Sequence, residues 1–346
     1  MSKLGFSVYC STFKEIETRL PSYAQEGSLV FTSLHIAEEM NAAYFDDVEH
    51  MLKALKKMGF QIVCDVSRKT LEMFNYTDIL QFKNDFGIDA LRIDYGFSFE
   101  ECKALAQTTA ICLNASTISE KECEELLAVN PDILFIHNFY PRPETGLDDE
   151  TFDAMNAMLL AHHAKIMAFI NGNEVLRGPL YEGLVTLEKH RHQNPYVNYL
   201  DLCLNHGIEN ILVGDSLIDS ISFERISKFN SEGIISLPCH LHHGYEQYYN
   251  QTFTIRSDSP KGLKRLAESR GYAAAGEKIK PDNCIYRKRG SIVMDNERYQ
   301  RYSGEIMIPI DDYPQDDRVN VIGELHEDYM ALLDCIKNGS KIMFVK

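Results

Sequence analysis

Eight short apolar runs, each followed by a stretch with helical periodicity, fill the first two thirds of the chain. They are LGFSVYC from Leu4, SLVFTSLH from Ser28, FQIVCDV from Phe60, DALRIDYG from Asp89, AICLNAS from Ala110, DILFIHNFYP from Asp132, KIMAFING from Lys165 and NILVGD from Asn210. Runs this continuous, rich in β-branched and aromatic residues, are the pattern of strands buried on both faces of a parallel sheet. Between them the period changes. Met51, Leu55 and Met58 recur on one face of VEHMLKALKKMG, and Gly59 ends it. SFEECKALAQ and SEKECEELLAVNP each open on a serine with glutamate three positions on, the reciprocal cap of a helix N-terminus. Eight β/α units in about 230 residues predict a (β/α)8 TIM barrel, with a doubly wound sheet as the alternative.

The rhythm breaks near Ser236. Beyond it CIYRKRGSIVMDN, RYSGEIMIPI and RVNVIGEL read as short strands, joined by Gly, Asp-Asn and Pro turns, before a helical HEDYMALLDCIKNG and a last strand KIMFVK. This predicts a small, mostly β second domain over 236–346 after a barrel domain over 1–235. Neither part contains a repeat or a Gly/Ser linker.

Charge narrows the partners. The chain carries a formal net charge of -16 over 346 residues, which argues against nucleic acid and against an anionic membrane surface. An anionic small ligand would need a local basic cluster. Nine cysteines without regular spacing, several inside apolar runs (Cys10, Cys64, Cys112), read as reduced thiols of a cytoplasmic protein. No segment has the length of a membrane span or the pattern of a signal peptide. Oligomeric state is not legible.

In a barrel the reacting groups gather at the C-terminal ends of the strands. Here those ends carry Ser33 and His35, Asp65, Asp94 and Tyr95, Asn114, then His137, Asn138 and Tyr140, then Asn171, and Asp215. Seven of eight strands therefore run into a polar group. Asp94 shares a face of LRIDYG with Arg92, so a structural Arg92–Asp94 pair competes with a catalytic role. Asp65 and Asp94 end neighbouring strands, and paired carboxylates suit acid/base work at a glycosidic bond. The long seventh loop adds Arg177, Glu188 and Arg191. With Arg142 these form the basic cluster an anion would need, although TLEKHR also reads as a solvated helix face. CHLHHG (239–244) is histidine-rich but matches no zinc spacing, so no metal is expected. No Walker, GxGxxG or GxSxG motif occurs, and no cofactor is expected.

The motifs HNFYPRPETGL, FTSLH, LRIDYGF, LNAST, RGPLYEGLVTLEKHR and ILVGD, with TIRSDSP, RGSIVMDNERYQRYSGEIMI and DDRVNVIGEL further on, together resemble the 6-phospho-N-acetylmuramidase family of glycoside hydrolases. The resemblance spans nearly the whole chain. It implies a TIM barrel followed by a cyclophilin-like β-barrel. It also implies hydrolysis of the disaccharide N-acetylmuramic acid 6-phosphate–N-acetylglucosamine during cytoplasmic recycling of bacterial cell wall. On that reading Asp94 is one catalytic carboxylate, with Asp65 or Glu188 as its partner. Asn114, His137, Asn138 and Tyr140 would hold hydroxyls and the acetamido group. Arg142, Arg177, Arg191 and Arg289 would meet the phosphate or the lactyl carboxylate. Two other readings stay open: another phosphosugar enzyme (epimerase, aldolase or lyase) with a metal on Asp65, Asp94 and His137, and a sugar-phosphate-binding protein without turnover.

Overall fold

The structure is a computed structural model that describes residues 3–25, 27–34, 43–274 and 278–346; His35 lies outside the described residues. The chain divides into two compact units, Met1–Phe223 and Glu224–Lys346. The division falls inside the helix Ser220–Glu232, ahead of the change of rhythm at Ser236.

All eight expected strands form, and they close. β1 (Lys3–Ser7), β2 (Leu29–Ser33), β3 (Gln61–Val66), β4 (Ala90–Ile93), β5 (Ile111–Asn114), β6 (Leu134–Ile136), β7 (Lys165–Ile170) and β8 (Asn210–Val213) pair in that order, and β8 pairs with β1. That closure excludes the doubly wound alternative. The interior is filled by Phe31, Val63, Ala90, Cys112, Ile136, Met167, Phe169 and Leu212, from seven of the strands. Burying each large member contributes roughly 1.5–3 kcal/mol. On β1 the corresponding room is left by a glycine. A Cβ on Gly5 would lie 2.4 Å from a Leu212 methyl and 2.7 Å from the Leu29 carbonyl, so this position admits no side chain.

The expected caps are present. Ser98 with Glu101 and Ser119 with Glu122 form capping boxes, and Gly59 takes the left-handed φ of 91° behind the helix Tyr44–Lys57. No described helix is long and apolar enough to cross a membrane. All nine cysteines are free, and burial pushes the Cys112 thiol up to about 12. Cys10 is only half-buried.

The second unit holds β9 (Ile234–Leu241), β10 (Thr252–Thr254), β11 (Leu263–Arg265), β12 (Ser291–Asp295), β13 (Ile306–Pro309), β14 (Val319–Leu325) and β15 (Lys341–Val345), in the order β10-β15-β9-β14-β12-β13-β11. The sheet is antiparallel except for β9 with β15. The final helix is shorter than its periodicity predicts. Only a 3-10 turn (Glu327–Tyr329) and the four-residue Leu332–Cys335 form.

Candidate active site

The register of β3 and β4 sets Asp65 opposite Arg92. Arg92 Nη1 lies 2.6 Å from Asp65 Oδ1 and 3.4 Å from Asp94 Oδ1, while Nη2 donates to Asn138 Oδ1 at 2.8 Å. Ser33 Oγ donates to the second oxygen of Asp65 at 3.3 Å. Arg92 is 6% exposed and Asp65 7%, whereas the Asp94 side chain keeps 30%. Burial works against the Arg92 charge, but the Asp65 carboxylate outweighs it and the guanidinium pKa is raised. One cation thus draws two carboxylates together. Since each has an oxygen within 3.4 Å of the same nitrogen, those two oxygens lie within about 6 Å of each other.

Asp65, Arg92, Ser33, His137, Asn138 and Arg177 line a cavity of about 130 Å³ with Phe31, Phe139 and Phe169. The three rings pack edge to face at 5.1–6.2 Å, giving the polar groups an apolar floor. Arg177 stacks its guanidinium 4.3 Å from the ring centre of Tyr9, and its buried Nε has no hydrogen-bond partner. Tyr9 itself is fully buried and donates its hydroxyl to the Gly214 carbonyl at 2.9 Å. The loop carrying Arg177 is wound on Asp215, whose carboxylate accepts from the amides of Gly172, Arg177 and Leu184 at 2.8–3.0 Å. Asp215 is thus a loop anchor, and Arg177 is presented to the cavity from rigid backbone.

Several expected site residues are engaged elsewhere. Both Glu188 oxygens are held by Arg191, at 2.6 and 2.8 Å, and accept from the amides of Glu144 and Gly146, each at 2.8 Å. The Arg191 hydrogen bonds, ahead of the two amides, bring the Glu188 pKa down to about 2. The Arg191 guanidinium also donates to the carbonyls of Tyr140 and Gly183, both at 2.9 Å. This pair ties the sixth loop to the seventh. The approach is so close that a Cβ on Gly146 would sit 2.6 Å from the Glu188 carboxylate, which accounts for the glycine of PETGL. The expectations of Glu188 as the partner carboxylate of Asp94 and of Arg191 as a ligand for the phosphate or the lactyl carboxylate are therefore corrected, because each completes the other.

His137 is corrected for the same reason. Its ring is fully buried against Phe152, Nε2 lies 2.7 Å from Asn156 Oδ1, and Nδ1 lies 3.2 Å from Ser116 Oγ. With Nε2–H donating, Nδ1 accepts from the serine hydroxyl and no ring nitrogen is left for a sugar. Burial lowers its pKa to about 4 and keeps it neutral. Arg289 is corrected as well: its guanidinium lies on the Asp334 carboxylate at 2.9 Å and the Ile310 carbonyl at 3.0 Å within the second unit. Asn114 reaches Asn138 Oδ1 only at 3.5 Å while its own oxygen accepts from the Ser116 amide. Tyr140 is half-buried beside Val185, and Arg142 is exposed. Neither lines the cavity. Arg92, which sequence reasoning left as a structural partner, lines the cavity and contacts both carboxylates; the adjacency of Asp65 and Arg92 across the strands was the missed signal.

A metal on Asp65, Asp94 and His137 does not fit. The Arg92 guanidinium lies between the two carboxylates, and the imidazole has turned away to Asn156. Elsewhere Asp149, Asp201 and His206 have metal-like closeness, but Lys189 Nζ stands 2.7 Å from both aspartates and supplies the positive charge.

The closed parallel barrel thus holds two carboxylates on one buried arginine, with a second arginine lining the same cavity. Models described as the N-terminal and C-terminal parts of 6-phospho-N-acetylmuramidase match residues 4–228 and 236–345. The chain belongs to the 6-phospho-N-acetylmuramidase family, and it is a glycoside hydrolase. Two solved structures share its fold over the whole chain. One is a conserved Enterococcus faecalis protein of unknown function, 27% identical, with TM-score 0.85 and 100% of this chain and 96% of that one covered. The other is an uncharacterized B. cereus protein, 22% identical, with TM-score 0.82 and both chains covered completely. No curated protein matches.

Proposed function

We propose that the protein hydrolyses the β-1,4 bond of N-acetylmuramic acid 6-phosphate–N-acetylglucosamine, in cytoplasmic recovery of bacterial cell-wall fragments. The family match across both units carries this reading. The cyclophilin-like character of the second unit belongs to the same proposal.

The barrel mouth divides the labour between its two aspartates. Asp65 lines the cavity, is deeply buried and lies 2.6 Å from Arg92. It is the nucleophile. Asp94 is the more exposed and lies further from the guanidinium, at 3.4 Å. It gives a proton to the leaving sugar oxygen and then takes one from water. Two carboxylates in unlike surroundings thus take unlike roles. Their closeness supports a double displacement with retention, because an inverting pair leaves room for a water between its carboxyl groups. Asn138 and the phenylalanine floor hold the sugar ring, and Arg177, with Arg142 further out, receives the phosphate.

Two measurements test this. Asp94→Asn should lower kcat on the phosphorylated disaccharide by about 10²–10⁴-fold; a wild-type rate removes Asp94 from the chemistry. Proton NMR of the first-formed product should show the β-anomer. The α-anomer appearing first would overturn the retaining assignment.

A further inference from the structure

CHLHHG takes no part in the barrel chemistry, yet it has a structural role. Its His240 and His242 rings stand 6.0 Å apart at a 56° tilt, and among the described residues none of its histidines joins a group of three metal-ligand atoms. The segment instead ends β9 and turns to form one wall of a cavity of about 630 Å³ in the second unit. That volume lies within the ~300–1,000 Å³ of small-molecule sites.

Both walls are pinned. On one, the His242 amide donates to the Ile322 carbonyl at 2.8 Å, the Tyr245 amide to the His242 carbonyl at 3.1 Å, and the Gly244 amide to Glu246 at 2.7 Å. On the other, the buried Asn320 donates to the Lys280 carbonyl at 2.8 Å and accepts from the Asp282 amide at 3.1 Å. The Ile279 amide there donates to Ser303 Oγ at 3.0 Å. These bonds engage the backbone and leave the side chains of Lys278, Lys280, Tyr245 and Gln247 to the cavity, while Gln251 lines it with its Nε2 donating to the Gln247 carbonyl at 2.6 Å. Among the described residues neither lysine stands in an ion pair, although the chain is strongly acidic. Asp282 and His243 complete the lining.

We propose that this cavity binds a saccharide carrying one anionic group, phosphate or carboxylate. Each feature has its counterpart in such a ligand. Side-chain amides donate to and accept from neighbouring hydroxyls, a tyrosine ring offers a face to the apolar side of a pyranose, and two ammonium groups meet the anion. The site lies wholly within the second unit and needs no group from the barrel. The proposal therefore stands apart from the hydrolase reading.

Titration calorimetry on the full chain carrying Arg177→Ala, which weakens the barrel's anion site, tests it. The probes are N-acetylglucosamine 6-phosphate, glucuronate, neutral N-acetylglucosamine and inorganic phosphate. At least one anionic sugar should bind at least tenfold more tightly than both neutral N-acetylglucosamine and inorganic phosphate. Adding Lys278→Glu with Lys280→Glu should weaken it at least tenfold, and adding Tyr245→Ala should weaken both sugar forms. Which anionic sugar wins identifies the substituent. Unchanged binding in the lysine variant, with an unchanged melting profile, overturns the proposal, as does inorganic phosphate binding as tightly as the sugars. Hydrolysis is assayed separately on wild type, so failure there bears on the barrel alone.

Discussion

Arg92→Met isolates the energetics of the candidate site. In the native chain the Asp65 and Arg92 side chains are 10% and 8% exposed, with 2.6 Å between the charged atoms. The substitution removes the cation beside the buried Asp65 carboxylate, whose second oxygen accepts from the Ser33 hydroxyl at 3.3 Å. A buried carboxylate stripped of its charge partner costs about 3–5 kcal/mol. For a unit of this size that lowers Tm by roughly 6–20 °C. Asp65→Leu with Arg92→Met replaces the pair by apolar groups of similar bulk and should recover most of the loss, since such exchanges are close to neutral. Turnover should not recover, because Asp94 has lost its partner and the nucleophile is gone. Differential scanning calorimetry reads the stability of single and double variants, and hydrolysis of the phosphorylated disaccharide reads the function. If Arg92→Met melts within about 1 kcal/mol of wild type, the pair behaves like an exposed one and the reasoning fails. A double variant as unstable as the single would also refute it.

Glu188→Gln should loosen the sixth loop, seen as faster amide exchange at Glu144 and Gly146, while kcat changes far less than in Asp94→Asn. The Glu188 pKa falls from 4.5 to about 2 on folding, so its contribution is complete above about pH 4.5 and is lost as pH drops toward 2; Glu188→Gln should remove that part of an acid melt. His137 has a folded pKa near 4 against 6.5 unfolded. Stability should therefore be full above pH 6.5 and fall by about 3 kcal/mol between there and pH 4, with an NMR titration midpoint near 4 confirming the shift. Tyr9→Leu removes the ring beneath Arg177 and should raise KM for the phosphorylated disaccharide about tenfold, with no rise for the unphosphorylated one; a cation–π contact of ~1–2 kcal/mol is of that size.

Much of this was legible in the chain. Continuous apolar runs marked all eight strands, the 3.6-residue period marked helices between them, and Ser98, Ser119 and Gly59 marked helix ends, because these features depend on residues a few positions apart. The polar residues closing seven of the eight strands pointed to the C-terminal mouth of the barrel as the candidate site. The last helix failed because HEDYMALLDCIKNG has helical periodicity but settles as a 3-10 turn and the short Leu332–Cys335. Propensity gives way there to tertiary context.

The site itself was only half legible. Asp65, His137, Asn138 and Arg177 line the cavity, but His137, Glu188, Arg191 and Arg289 carry the same chemistry and are engaged by partners elsewhere in the chain. Asn156 is 19 positions from His137, and Gly146 is 42 from Glu188.

The sequence alone determined the eight β/α units and the kinds of groups at the strand ends, since local periodicity and end residues specify those; closure of the sheet through β8 and β1 was decided by the tertiary structure. Tertiary structure alone decided which charges remain available. A carboxylate or guanidinium reacts or binds only if folding has not already given it a partner, and partners brought together by strand register and loop packing leave no mark on the local pattern.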